Sequence, residues 1–160
     1  MFLQQNTLDG LRSYFNRSLS DQFSESEIKL MFKAFVMKRM EMSDTDFMLA
    51  RDLRFSESDL LYFRSVVNRL QANEPFQYIH GRTEFYGLEL IFVVRALIPR
   101  PETEELVDWI LESADKSQKS SVIDICSGSG CIALALKSIL MNANVEAWEL
   151  NPLVIDYLGD

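Results

Sequence analysis

The stretch Val122-Ile-Asp-Ile-Cys-Ser-Gly-Ser-Gly-Cys-Ile-Ala133 leaves the backbone few choices. Its apolar opening reads as a buried strand, two closely spaced glycines hinge the chain, and the apolar residues that follow form a helix. A second strand over Asn144 to Glu149 ends in an acidic residue. Together these predict the first β-α-β unit of a doubly wound α/β sheet, where ligands bind outside the carboxyl ends of the strands. Ser127, Gly128, Ser129 and Gly130 remove bulk where backbone passes close to a ligand, and the helix behind them offers unpaired amide N–H groups. Glu149, 19 residues beyond Gly130, is placed to accept hydrogen bonds from a ribose diol.

Two cofactor classes use such a loop. Gly128-Ser-Gly130-Cys-Ile-Ala133 fits the GxGxxA pattern of nicotinamide and flavin dinucleotide sites as well as it fits an S-adenosylmethionine loop. Asp124 favours the second. Sitting two residues before Cys126, its carboxylate would repel a pyrophosphate yet suits a sulfonium and an amino-acid ammonium.

The segment Tyr78-Ile-His-Gly-Arg-Thr-Glu-Phe-Tyr-Gly-Leu-Glu-Leu90, then Leu97-Ile-Pro-Arg-Pro-Glu-Thr-Glu104, then Asp124 to Gly130, closely resembles the release factor glutamine methyltransferases, the HemK/PrmC family. The resemblance is strong from Glu74 to Leu150, while the first 70 residues match in organisation only. It implies transfer of a methyl group from S-adenosylmethionine to the side-chain amide nitrogen of the glutamine in the Gly-Gly-Gln tip of peptide chain release factors. It also implies that the Pro-Arg-Pro-Glu-Thr-Glu segment, with Arg100, lies against the cofactor pocket. The expected binding residues are Asp124, Cys126, Ser127, Gly128, Ser129, Gly130, Glu149 and Arg100.

Two departures from the family stand out. Cys126 occupies the loop's usual first glycine, which is tolerable if its backbone angles are ordinary and costly if φ is positive. The family's Asn-Pro-Pro-Tyr motif, which holds the target amide, occurs nowhere in the 160 residues, and the sole Asn-Pro is Asn151-Pro152. The expectation is a truncated methyltransferase domain, inactive alone and with no catalytic residue of its own. Three other readings stay open: a glutamine methyltransferase of a ribosomal protein, an NAD-dependent oxidoreductase, and an adaptor that retains only its helical part.

Charge divides the chain. Residues 1–73 hold ten basic and ten acidic side chains, and residues 74–160 hold six and fourteen, so the whole net charge of −8 lies in the second part. Such a surface disfavours nucleic acid, whose binding depends on Lys and Arg displacing counterions, but leaves room for a basic protein partner. No signal-like start or membrane-length apolar run appears, which predicts a cytoplasmic protein. Cys126 and Cys131 fit neither a redox nor a zinc spacing and read as reduced, small fillers of tight space; with one histidine, His80, no metal centre is expected. His80, before Gly81, reads as a helix-terminal residue rather than a general base.

The domains are expected at residues 1–73, a helical bundle that receives the substrate; 74–100, a short helix and hairpin; and 101–160, the opening of the methyltransferase domain. In the first, a helix from Leu8 to Leu19 precedes three starts at Ser24-Glu-Ser-Glu27, Ser43-Asp-Thr-Asp46 and Ser56-Glu-Ser-Asp59, each followed by an apolar stripe. Exposed Arg51, Arg54 or Arg64 could contribute to recognition. Next, Asn73-Glu-Pro75 should cap a helix through Ile79, and Thr83 to Tyr86 and Glu89 to Val93 should form strands around Gly87-Leu88. Prolines 99 and 101 hold Arg100 extended before a helix over Glu102 to Leu111. Because two parallel strands cannot cover their own faces, apolar surface should be left bare.

Overall fold

The computed structural model describes residues 6–91, 96–115 and 119–158, which form a mixed helix and strand structure of eight helices and two small sheets. The chain divides into two compact units, Met1–His80 and Gly81–Asp160.

The first unit is helical. It comprises α1 (Leu8–Leu19), α2 (Glu25–Met40), α3 (Asp44–Leu49), α4 (Glu57–Gln71) and α5 (Phe76–His80). Thr7 caps α1, and α2, α3 and α4 each begin with a capping box in which Ser24, Ser43 and Ser56 exchange hydrogen bonds with Glu27, Asp46 and Asp59. These bonds satisfy amides that a helix start leaves orphaned. The serine hydroxyls hold all three carboxyls below their usual range.

The stripes of α1, α2 and α4 turn inward, whereas α3 buries no residue: Leu49 is 77% exposed and only Phe47 packs, partly buried, against the core. Phe15, Phe32, Phe35 and Phe63 are fully enclosed, and Phe15 meets Phe32 and Phe63 edge to face at centroid distances of 5.3 and 6.2 Å. Such T-shaped contacts add specificity to a packing driven by area burial. Backbone bonding between Asn6 and Phe55 ties the start of the chain to the approach of α4.

Asn73 does not cap α5. Its φ of 59° places it in the left-handed region, where it closes α4, while the N–H of Glu74 reaches back to the carbonyl of Arg69. Asparagine is the non-glycine residue best suited to that position. Helix α5 starts instead on the carbonyl of Pro75. His80 ends it, as expected, with its ring stacked on Phe76.

The second unit holds β1 (Arg82–Phe85), β2 (Leu88–Ile91), α6 (Glu102–Ser113), β3 (Ser121–Ile125), α7 (Cys131–Ile139), β4 (Asn144–Trp148) and α8 (Pro152–Leu158). The hairpin turns one residue earlier than its spacing predicts. Phe85 pairs with Leu88, so Tyr86 and Gly87 form the turn, with φ of 53° and 73°. Positive φ at both centres is what a twisted two-residue hairpin requires. The predicted end of the second strand, Val93, lies outside the described residues.

Strands β3 and β4 are parallel and in register from Ser121↔Asn144 to Ile125↔Trp148, with α7 as their crossover. Val122, Asp124 and Val145 lie on the half-buried face, and Val122 and Val145 pack against a core of Phe85, Val107, Leu111, Ala135 and Leu136. The opposite face is bare: Ile123, Ile125 and Trp148 are 50%, 70% and 55% exposed. That is the uncovered apolar surface expected of two parallel strands.

Replacing Phe63 by Ala should cost about 3–5 kcal/mol, seen as a lower urea midpoint for the helical unit. Ser56→Ala, which removes one cap, should cost about 1 kcal/mol in the same experiment.

Candidate functional site

Strand β3 delivers Asp124 to the edge of the loop. Because side chains alternate, Asp124 shares the α7 face with Val122, and the N–H of Ala133 donates to its carboxylate. Its second oxygen, Oδ2, is buried without a partner, and so is the Oγ of Ser127. Burial pushes the Asp124 carboxyl above its usual range, with the Ala133 amide opposing. An unpaired buried polar atom is costly, so two of them three residues apart, at the end of β3 and in the loop behind it, call for an explanation.

The loop from Cys126 to Gly130 is held in left-handed steps. Cys126, Gly128 and Gly130 have φ of 63°, 56° and 72°. Ser127 donates its N–H to the carbonyl of Trp148 at 3.0 Å, and Gly130 donates to Ser127 at 2.8 Å. A Cβ at Gly128 or Gly130 would meet nothing within 4 Å. These glycines are therefore set by backbone angle, and the space in front of them is open.

Cys126 departs from expectation. It stands at positive φ, the one circumstance in which a side chain is resisted, and it is exposed rather than a filler of tight space. Only Cys131 is buried. A left-handed L-residue costs about 1–2 kcal/mol, and no hydrogen bond or ion pair of the Cys126 side chain offsets it among the described residues.

Glu149 closes the loop from β4. Its Oε2 accepts from the N–H of Gly128 at 2.7 Å, and its Oε1 from Leu150 and Asn151 at 2.9 and 2.8 Å. The amides of Asn151 and Gly128 hold its carboxyl below the usual value against a smaller desolvation effect, with Leu150 adding to them. Spacing alone suggested a carboxylate waiting for a diol; in the structure it also fastens the loop.

Five expected residues, Cys126, Ser127, Gly128, Ser129 and Gly130, thus lie on one loop, Asp124 stands on the strand that leads into it, and Glu149 is bonded to it. Arg100 makes no hydrogen bond to any of them. It is exposed, its carbonyl accepts from Thr103 at 2.9 Å, and its guanidinium has no hydrogen bond or ion pair among the described residues. Arg51, Arg54 and Arg64 belong to the other unit; of these, Arg54 donates to Asn6.

Sequence reasoning missed Glu104 and Asp108. Glu104 accepts from the Tyr86 N–H at 2.7 Å and Asp108 from the Tyr86 hydroxyl at 2.5 Å, so α6 clasps the hairpin turn. No local signal points to them, because their partner stands 18 and 22 residues back in the chain. No group of metal-ligating side chains occurs among the described residues, nor any helix long and apolar enough to cross a membrane.

Residues 11–81 match the family model of the PrmC N-terminal domain. The chain is 38% identical over 143 residues to a release factor glutamine methyltransferase of Flavobacterium psychrophilum, covering 88% of this chain and 50% of that protein. Proteins of the same name from Bacteroides thetaiotaomicron and Streptococcus pneumoniae are 33% and 37% identical, over 90% and 91% of this chain and 51% of each relative. The chain spans about half the length of the curated relatives it matches.

Cys126→Gly should stabilise the second unit by about 0.5–1 kcal/mol, the left-handed penalty less the extra unfolded-state freedom of glycine; thermal melts of the two proteins decide it. Asp124 has its folded pKa raised, so its contribution is favourable below the unfolded pKa and is lost as pH rises through the folded value. Asp124→Asn should therefore raise the melting temperature near neutral pH and lose that advantage in acid. Glu149 has the opposite sign: its contribution holds above the unfolded pKa and fades as pH falls through the lowered one.

Proposed function

We propose, for a chain that is a relative of the release factor glutamine methyltransferases, that its second unit is the opening of a Rossmann-like methyltransferase domain and binds S-adenosylmethionine at the Asp124 to Gly130 loop. The observation that carries this reading is the pair of unpartnered buried oxygens, Asp124 Oδ2 and Ser127 Oγ, beside an open glycine turn fastened by Glu149.

The residues present suit that cofactor. Asp124 offers negative potential to the sulfonium and ammonium end, where a pyrophosphate would be repelled. Glu149 Oε2, which accepts from one amide only, retains a lone pair for a ribose hydroxyl, and the open side of Gly128 and Gly130 lets the ligand approach backbone. When bound, the cofactor supplies an electrophilic methyl group. This chain's residues bind and orient it, and Arg100 is proposed to join them on the likeness of its segment to the family.

The proposed acceptor is the side-chain amide nitrogen of the glutamine in the Gly-Gly-Gln motif of peptide chain release factors. An amide nitrogen is a weak nucleophile because its lone pair is delocalised, so alignment must supply most of the rate, on the order of several kcal/mol. The Asn-Pro-Pro-Tyr residues that would orient the amide are absent from the 160 residues. These residues supply the cofactor side, and alone they should transfer no methyl group. The helical unit is proposed to help receive the release factor in the cytoplasm, with no role for direct nucleic-acid binding.

Calorimetry should show binding of S-adenosylhomocysteine and none of NAD, with at least tenfold loss in Asp124→Ala or Glu149→Ala. The reverse preference would replace this reading by a dinucleotide one. For the full-length protein, mass spectrometry of a release factor and of ribosomal proteins after incubation with S-adenosylmethionine should find one added methyl on the Gly-Gly-Gln glutamine alone.

A further inference from the structure

Helix α6 carries five acidic residues and no basic one: Glu102, Glu104, Glu105, Asp108 and Glu112. Glu104 and Asp108 are occupied by Tyr86. Glu102, Glu105 and Glu112 make no hydrogen bond or ion pair among the described residues. At 100° per residue, Glu105, Glu112 and Glu102 fall on one outward face, and Trp109 sits between them with Leu106 at the margin. Trp109 is 70% exposed and Leu106 41%.

Folding alone does not account for this face. First-turn Glu102 and Glu105 suit the positive end of the helix dipole, but Glu112 stands in the last turn, where the dipole disfavours a carboxylate and, among the described residues, no basic side chain pairs with it. Acidic residues three or four apart, Glu102 with Glu105, Glu105 with Asp108, and Asp108 with Glu112, repel one another along the helix. A cation laid on the face would relieve that repulsion and meet an indole ring, whose face attracts guanidinium most strongly.

We propose that the outward face of α6 is a docking surface for an arginine-bearing segment of a protein partner, with a guanidinium over Trp109 between Glu105 and Glu112. Charge complementarity selects this occupant: a polyanion or an anionic membrane would be repelled by the same carboxylates. The proposal needs no cofactor and does not depend on methyl transfer.

The test uses the whole chain carrying Trp148→Phe, which leaves Trp109 as the sole tryptophan. Titration with a hexa-arginine peptide should change its fluorescence saturably, whereas hexaglutamate should not. In calorimetry, Trp109→Leu and the double variant Glu105→Gln/Glu112→Gln should each weaken hexa-arginine binding by about threefold or more, the scale of one exposed cation–π contact or a pair of surface ion pairs. Unchanged affinity in Trp109→Leu, with unchanged circular dichroism, would reduce the effect to net charge and overturn the proposal. So would spermidine binding as tightly as the peptide, or no fluorescence response to the peptide.

Discussion

The hydrogen bond from the Gly128 N–H to Glu149 joins the two ends of the β-α-β unit at the place where a ligand would enter. Parallel strands leave their carboxyl ends open, and the loop after β3 spends two glycines and a cysteine in left-handed steps that have little intrinsic preference for staying put. A single carboxylate accepting from three amides, one across the turn and two on its own side, fixes that loop against the end of β4. The Ser127 N–H to Trp148 bond runs in parallel with it. Loop shape, orientation of the α7 amides and the position of Asp124 follow from these contacts.

Much of the fold is legible in the letters because short-range chemistry dictates it. Three serines each followed after three positions by Glu or Asp mark three helix starts, and the structure makes every one a reciprocal cap. The strand, glycine loop and helix over Val122 to Ala133 are equally plain, since apolar run, left-handed glycines and renewed apolar spacing each admit one local answer. What spacing could not supply was backbone angle at residues that tolerate several. Asn73 could cap the next helix or close the last one, and only the tertiary path selects closure. Tyr86 is a poor guide to a tight turn, because a bulky residue rarely takes a left-handed angle and the carboxylate that accepts from its N–H stands 18 residues away.

The candidate site divides the same way. Asp124 to Gly130 and Glu149 were readable because loop chemistry is local and the acidic residue follows at a fixed distance along a known topology. The strain at Cys126 was not, since cysteine carries no sign of the angle imposed on it. The placement of Arg100 beside the pocket rests on likeness and on no bond that its neighbours make. Glu104 shows the converse: within a segment expected at the cofactor, it serves the hairpin.

The helical unit draws every member of its core from residues 8–79 and closes its helices with caps made within a few positions of each serine. Its caps are local, and even its longer contacts, such as Phe15 on Phe63, stay within those residues and need no partner from the second unit. During synthesis such a unit can compact while the glycine loop is still inside the ribosome. The unit that follows, with its uncovered strand face, then emerges behind a neighbour that has already buried its own aromatic residues.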